Sequence, residues 1–276
     1  MLAVFVKEPR PGAVKSRLAA ALGAEAAAEV YRAIAKEVMR RTVPRRDEYE
    51  RIVAFDPPSA GAAIGEWLGV TAGALLTQST GDIGLRMERA LDELFRRGAR
   101  RVALIGTDVP ALSREDVLGA LESLDEHDVA LGPATDGGYY LIALKGPAPE
   151  LFRGIRWSSG EVLASTLDRV ARRGLSVRVL RTIGDVDTVE DLAAEWERVR
   201  PLLDEEMRQE IERVRLFLVD VEVELYQSVD DDATPGVAGQ ILEIGGFGDD
   251  SPARGAPIGR AVVSTIFPLD IFASIR

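Results

Sequence analysis

The chain contains no cysteine and a single histidine, His127. Disulfides, thiolate zinc sites, iron–sulfur clusters and a cysteine nucleophile are therefore excluded. A metal would have to be held by oxygen, which favours Mg²⁺, Mn²⁺ or Ca²⁺. A Ser-His-Asp arrangement could draw only on His127, and "LDEHDVALG" reads as a turn entering a strand. No apolar run approaches the roughly 18 residues that span a bilayer. No basic leader or small-residue cleavage site accompanies the first apolar segment, so a cytoplasmic location is expected and a membrane partner is not. A broad basic surface is also lacking, which argues against nucleic acid as a partner.

The charge that is present is unevenly spread. Of a net −11 over 276 residues, residues 201–276 hold 15 acidic and 6 basic side chains, against 30 and 28 in residues 1–200. Arginine outnumbers lysine 30 to 4, yet Lys7 and Lys15 both lie in the first fifteen residues. A compact ammonium in a tight loop is a suitable phosphate ligand.

Apolar runs alternate with helical patterns up to about residue 200. "LAVFV", "RIVAF", "ALLTQ", "RVALIG", "DVALGPA", "YYLIALK" and "SVRVL" read as strands. After the first of these, Val30, Ile34 and Val38 recur on one face of a single predicted helix. Further helices are expected over 62–69, 83–97, 160–173 and 188–199, with Ser113 capping another and Asp116 at its third position. This alternation predicts an α/β layered fold with a largely parallel sheet and "YYLIALK" as the antiparallel exception. Residues 1–200 form the expected body. Residues 201–276 form an acidic extension, helical over "LLDEEMRQEIERV" and strand-like over "LFLVDVEVELY". A β-rich unit, a homo-oligomer contact and a partly disordered end all remain open for the tail.

"VFVKEPRPGAVKSRL" raises the functional question. A Walker A loop needs glycine directly before its lysine; here Val14 stands there, and the dinucleotide G-x-G-x-x-G spacing is missing too. What remains is a proline-stiffened loop in which Gly12 lets the backbone approach a ligand and Lys15 and Arg17 bring positive charge to a helix start. Cations there oppose the helix dipole by roughly 0.3–1 kcal/mol each, a sign that a bound polyphosphate would reverse. The bland alternative is a Pro-Gly turn beside a solvated basic face.

Other strand ends carry comparable signals. Thr107-Asp108 follows a buried strand, where a carboxylate can anchor a cation between phosphates or merely form an Asx-turn. Asp136-Gly137 is a strong turn signal, but Gly138, Tyr139 and Tyr140 exceed what a turn requires and suit a wall for a flat or sugar-like ligand. Gly81, Asp82 and Gly84 open a helix with Arg86 in its first turn. Trp157 precedes a serine expected to cap a helix, Ser158 or Ser159. Asp185 and Asp187 precede a helix capped by Thr188. Each alone suits an ordinary helix start. Together they put polar residues at most strand-to-helix junctions of one sheet, the pattern of a single loop-lined site.

"KEPRPGAVKSRL", "GDIGLRM", "IGTDVPAL", "LGPATDGGYYLIAL", "WSSGEV" and "DVDTVEDL", in this order over about residues 1–195, resemble a bacterial family of glycosyltransferase-A-type proteins. Its members are known as uncharacterised transferases or arsenosugar-biosynthesis-type glycosyltransferases. They are related distantly to phospholactate and molybdenum-cofactor guanylyltransferases. The resemblance implies a three-layer α/β/α nucleotide-diphospho-sugar transferase fold with a mostly parallel mixed sheet. It implies nucleotide binding by Gly12, Lys15 and Arg17, with Asp82 and Arg86 as further nucleotide-binding candidates. It implies Mg²⁺ or Mn²⁺ on Asp108 and Asp187, and a donor or acceptor facing Asp136, Gly137, Gly138, Tyr139, Trp157 and Ser158. Trp157-Ser158-Ser159 departs from the family's Trp-Ser-Thr, which weakens a role for Ser159. The expected activity is metal-dependent transfer from a nucleotide-activated donor to a small-molecule acceptor, with Asp108 and Asp136 as catalytic candidates. Family naming favours glycosyl transfer; nucleotidyl transfer and a non-catalytic nucleotide-binding protein are the alternatives.

Overall fold

A computed structural model describes residues 1–213. The first strand, β1 (Leu2–Lys7), shows why the sheet is covered on both sides. Leu2, Val4 and Val6 enter one apolar cluster, while Ala3 and Phe5 enter another on the opposite face. Strands buried on both faces read as continuous apolar runs and belong to the interior of an α/β layer. Each fully buried Leu or Ile contributes about 1.5–3 kcal/mol relative to exposure.

In chain order the elements are α1 (Ser16–Leu22), α2 (Ala24–Arg41), β2 (Arg51–Asp56), α3 (Gly61–Leu68), β3 (Leu75–Thr77) and α4 (Ile83–Arg96). They continue with β4 (Val102–Ile105), α5 (Arg114–Ser123), β5 (Val129–Pro133), β6 (Tyr139–Leu144), α6 (Val162–Arg172), β7 (Val177–Val179), α7 (Val189–Ala194) and α8 (Trp196–Val199). Seven strands form one sheet in the order β3-β2-β1-β4-β6-β5-β7. Val4 lies opposite Val53 of β2 and Ile105 of β4, both in parallel register. The antiparallel exception is β6, which pairs Ile142 with Leu104 on one side and Leu131 on the other.

Three expectations need correction. The single helix after β1 is two, because Gly23 (φ 83°, ψ 161°) leaves helical geometry between α1 and α2. The helix expected over 188–199 is interrupted at Glu195 (φ −97°, ψ 10°), and beyond it Trp196 and Val199 both reach the core. Neither Ser158 nor Ser159 caps α6: Glu161 holds the cap position without a side-chain bond, Ser158 takes φ 60°, and the Ser159 hydroxyl donates to the Arg156 carbonyl at 2.7 Å.

Leu203 and Ile211 are buried in the same cluster as Leu2 and Val4, and residues 205–213 are helical. The strand expected over 216–226 lies outside the described residues. No helix among the described residues is long and apolar enough to cross a membrane.

Sheet topology explains why distant motifs meet. The chain leaves β1 towards β2 and β3, then returns to the other side through β4, so the crevice beyond β1 and β4 is the place where an open α/β sheet receives a ligand. Because β6 runs backwards, its first residue, Tyr139, faces the edge at which β1 and β4 end.

Candidate active site

The loop after β1 is pinned by its apolar member. Val14 is buried against Ala28, Tyr31 and Ala35 of α2. The next residue, Lys15, adopts φ 51° and ψ 48°, left-handed geometry that is uncommon for a side chain with a Cβ. Gly12, at φ 76°, supplies the other positive-φ turn that the loop needs. The Lys15 side chain is only 4% exposed, and its Nζ lies 2.7 Å from Asp108 Oδ1 and 3.7 Å from Asp187 Oδ1. Arg17, on the exposed first turn of α1, donates to Asp187 Oδ2 at 3.2 Å. Residues 15, 17, 108 and 187 therefore meet, although they come from three separate loops.

Backbone contacts hold those loops together. The Val186 N–H donates to the Asp108 carbonyl at 2.9 Å. Ala134 and Ile183 form a parallel bridge that carries the chain past the end of β7 towards this edge. Asp187 itself is set by α7: the Asp191 carboxylate accepts from the Asp187 N–H at 3.1 Å and closes a capping box with Thr188. Its own carboxylate is thereby left for Lys15 and Arg17.

Behind Asp108 lies a buried polar relay that the sequence reading missed. The Tyr31 hydroxyl accepts from the Lys7 N–H at 2.9 Å and shares a 3.1 Å hydrogen bond with Thr107. The Thr107 hydroxyl also contacts the Phe5 carbonyl at 3.2 Å. Burial pushes the Tyr31 phenol well up, and the Asp108 charge adds to that, so it stays protonated. A tyrosine on the apolar face of α2, one turn before Ile34 and Ala35, was the available signal: a buried hydroxyl demands a partner. Asp185 is a further acid here. Burial first, and then the Asp136 charge, push its carboxyl up to about 6.

A cavity of about 340 Å³ opens beside this cluster, lined by Lys15, Tyr31, Gln78, Arg86, Asp108 and Asp187 among others. Arg86 is braced by Asp56 Oδ2 at 3.0 Å and by the Gly81 carbonyl at 3.1 Å. The Gln78 amide donates to the Ala54 carbonyl at 2.8 Å and turns its oxygen to Arg86 at 3.4 Å. Asp56 and Gln78, the last residue of β2 and the residue following β3, went unselected because a single acid or amide there resembles any strand end.

The remaining candidates have local structural duties. Asp82 caps α4 by accepting from the Leu85 N–H at 2.8 Å. Asp136 accepts from the Gly138 N–H at 2.8 Å, so the acid closes its own turn. Gly137 has φ 86°, and a Cβ there would stand 2.2 Å from the Gly160 carbonyl oxygen, which gives this glycine a packing reason. Trp157 lies across Gly84, where a Cβ would come within 2.4 Å of the indole nitrogen, and meets Tyr139 edge-on at 6.5 Å. Tyr139 lines the cavity, while Ser158 is exposed. His127 sits just before β5 with its Nδ1 3.1 Å from the Ser123 carbonyl, as a turn residue should.

Among the described residues, no group of three or more Asp, Glu, His or Cys is arranged to hold a metal. Asp108 and Asp187 are two hard oxygen donors already gathered around one cation, the Lys15 ammonium. Mg²⁺ characteristically takes one or two carboxylates and completes its shell with phosphate oxygens and water, so this pair fits such an ion in company with a nucleotide.

Comparison with known proteins agrees with the fold. Residues 39–159 match a family described as "Uncharacterized protein conserved in bacteria (DUF2064)". A Desulfovibrio desulfuricans G20 protein, provisionally named a nucleotide-diphospho-sugar transferase, is 30% identical with a TM-score of 0.65, covering 74% of this chain and 98% of that one. The 2-phospho-L-lactate guanylyltransferase of Methanopyrus kandleri is 34% identical over 113 residues, which are 39% of this chain and 55% of that enzyme. The chain thus spans about half the length of the curated relative it matches. A Mycobacterium tuberculosis H37Rv protein solved in complex with manganese is 14% identical with a TM-score of 0.45, over 71% of this chain and 97% of that one. The chain belongs to the DUF2064 family of uncharacterized bacterial proteins, and its fold is that of the nucleotidyltransferase and nucleotide-sugar transferase superfamily.

Proposed function

We propose that the chain is a nucleotidyltransferase that couples a nucleoside monophosphate to a phosphorylated small acceptor and releases pyrophosphate. The observation that carries this reading is the meeting of Lys15 and Arg17 with Asp108 and Asp187 at the mouth of the cavity. The guanylyltransferase likeness favours nucleotidyl over glycosyl transfer and makes GTP the first donor to try. This reverses the preference that family naming suggested.

In this reaction an oxygen of the acceptor phosphate forms a bond to the α-phosphorus. The bond from that phosphorus to its bridging oxygen breaks, and its electron pair departs with pyrophosphate. A phosphate acceptor is anionic at neutral pH and needs no base, which suits a cluster built of carboxylates and cations without an imidazole. Lys15 and Arg17 bind and orient the phosphates and offset the charge that accumulates on the leaving group. Asp108 and Asp187 would hold the divalent cation. When bound, Mg²⁺ or Mn²⁺ supplies Lewis-acid polarisation of the phosphoryl oxygens. Arg86, held from behind by Asp56 and Gln78, presents its donors to the nucleotide, with Gly12 and Asp82 shaping the loops that carry it. Asp136, Gly137, Gly138, Tyr139, Trp157 and Ser158 are assigned to the acceptor side.

Glycosyl transfer is the second reading, and the likeness to the Desulfovibrio protein favours it. Product analysis separates the two. Incubation with each nucleoside triphosphate, Mn²⁺ and a panel of phosphorylated acids should release pyrophosphate only when an acceptor is present. Nucleoside diphosphate from nucleotide sugars, without pyrophosphate from any triphosphate, would establish the second reading. No product from either panel would end the transferase proposal.

A further inference from the structure

The Lys15 ammonium occupies the position between Asp108 and Asp187 where a cation joining those carboxylates belongs. It is nearly withdrawn from solvent at 4% exposure, whereas the two carboxylates remain 44% and 37% exposed. Its backbone takes left-handed geometry next to the buried Val14, an arrangement that persists only where the surroundings enforce it. Arg17 holds the second oxygen of Asp187. A divalent ion approaching the same oxygens would meet a fixed positive charge at contact distance, while the phosphates of a nucleotide offer that charge a new partner.

We propose that Lys15 is a built-in placeholder for the divalent cation: it neutralises Asp108 and Asp187 in the empty site, opposes capture of metal alone, and moves to the nucleotide phosphates when metal and nucleotide arrive together. The proposal rests on the nucleotide-transfer reading and adds its regulation. Linkage then requires that nucleotide strengthen metal binding and metal strengthen nucleotide binding by the same factor. The ion pair also keeps the loop in its binding shape between turnovers, because the lysine always has a carboxylate or a phosphate to hold.

The test is a titration of the full chain with Mn²⁺ alone, followed by electron paramagnetic resonance. Lys15→Met keeps the side-chain length and removes the charge. It should bind Mn²⁺ about tenfold or more tightly than the unaltered chain when no nucleotide is present. With GTP added, the unaltered chain should gain Mn²⁺ affinity by a similar factor, and Lys15→Met should lose most of that gain. Equal or weaker Mn²⁺ binding by Lys15→Met overturns the proposal. Because the titration involves no turnover, its failure is separate from that of the transferase reading, which pyrophosphate release decides.

Should Lys15→Met not fold, lysine-selective ¹⁵N resonance on the unaltered chain replaces it, since only four lysines contribute signals. The Lys15 ammonium should stay in place with Mg²⁺ alone and shift with Mg²⁺ and GTP together. A signal displaced equally with and without GTP, or unmoved by both ligands together, overturns the proposal.

Discussion

Asp116 and Asp108 both sit near β4, and both face a cationic side chain, but their surroundings differ. At Asp116 every oxygen is committed. Oδ1 accepts from Arg181 at 2.7 Å, and Oδ2 accepts from Arg181 at 2.7 Å, from the Ser113 N–H at 2.9 Å and from the Ser113 hydroxyl at 2.7 Å. Burial pushes this carboxyl up, but the hydrogen bonds from Arg181 and Ser113 outweigh burial and hold it below the usual carboxylate range. Asp108 makes its close ion pair with Lys15 and stays 44% exposed, its chain direction fixed through its backbone carbonyl rather than its side chain. A carboxylate saturated by its own fold serves stability. One that is oriented yet still open to solvent can exchange partners.

The sharpest way to break this comparison is a pair of isosteric substitutions. Asp108→Asn should reduce pyrophosphate release by about 10²–10³-fold, the usual cost of one contact made in the transition state, with little change in melting temperature. Asp116→Asn should do the opposite, leaving turnover within a few-fold and lowering stability by about 1–2 kcal/mol above pH 4, discounted because Arg181 is half exposed. Equal turnover losses in the two variants would refute the distinction.

That second loss carries a pH signature. The folded carboxyl of Asp116 titrates below its unfolded value, near 3.8. Its stabilising effect is therefore full above that value and fades as pH falls through the folded one. Urea titrations should find the gap between Asp116→Asn and the unaltered chain wide at pH 6 and closing below pH 4.

The two capping boxes extend the comparison to smaller effects. Ser113→Ala and Thr188→Ala should each cost about 1 kcal/mol of stability. Thr188→Ala should also raise the nucleotide KM, because Asp191 positions both the Thr188 and the Asp187 backbone. Ser113→Ala should leave KM unchanged. Smallest of all, Arg17→Gln should raise KM about threefold in low salt and less in high salt, as befits an ion pair whose arginine is largely exposed.

Much of the framework is legible in the residues. A continuous apolar run marks β1 as an interior strand, and the Asp136-Gly137 turn joining "DVALGPA" to "YYLIALK" fits β6 as the reversed strand. Ser113 with Asp116, and Thr188 with Asp191, announce helix starts because a hydroxyl and an acid three positions apart can satisfy free backbone N–H groups locally. Breaks within helices are harder to see. Gly23 and Glu195 interrupt patterns whose apolar spacing continues across them, and the segments at each break pack on other helices, α1 on α2 and α7, α8 on α2 and α7. Ser158 fails as a cap for a similar reason: the chain at Gly160 is pressed against Gly137, a contact between segments that local sequence does not register.

The site divides along the same line. By itself the sequence determines which chemistry is possible, since a chain without cysteine and with one histidine at a turn can hold a cation only through oxygen and can counter phosphate only with lysine and arginine. It also determines that these residues lie at strand ends, because hydrophobic period is a local property. Their meeting is decided in three dimensions. The order β3-β2-β1-β4-β6-β5-β7 carries residues 15, 108 and 187 to one edge, and the backbone link from Val186 to Asp108 sets their spacing. The buried hydrogen bonds of Tyr31, Thr107 and Gln78 likewise emerge only there, because satisfying a polar group inside a core depends on whatever the rest of the chain folds against it.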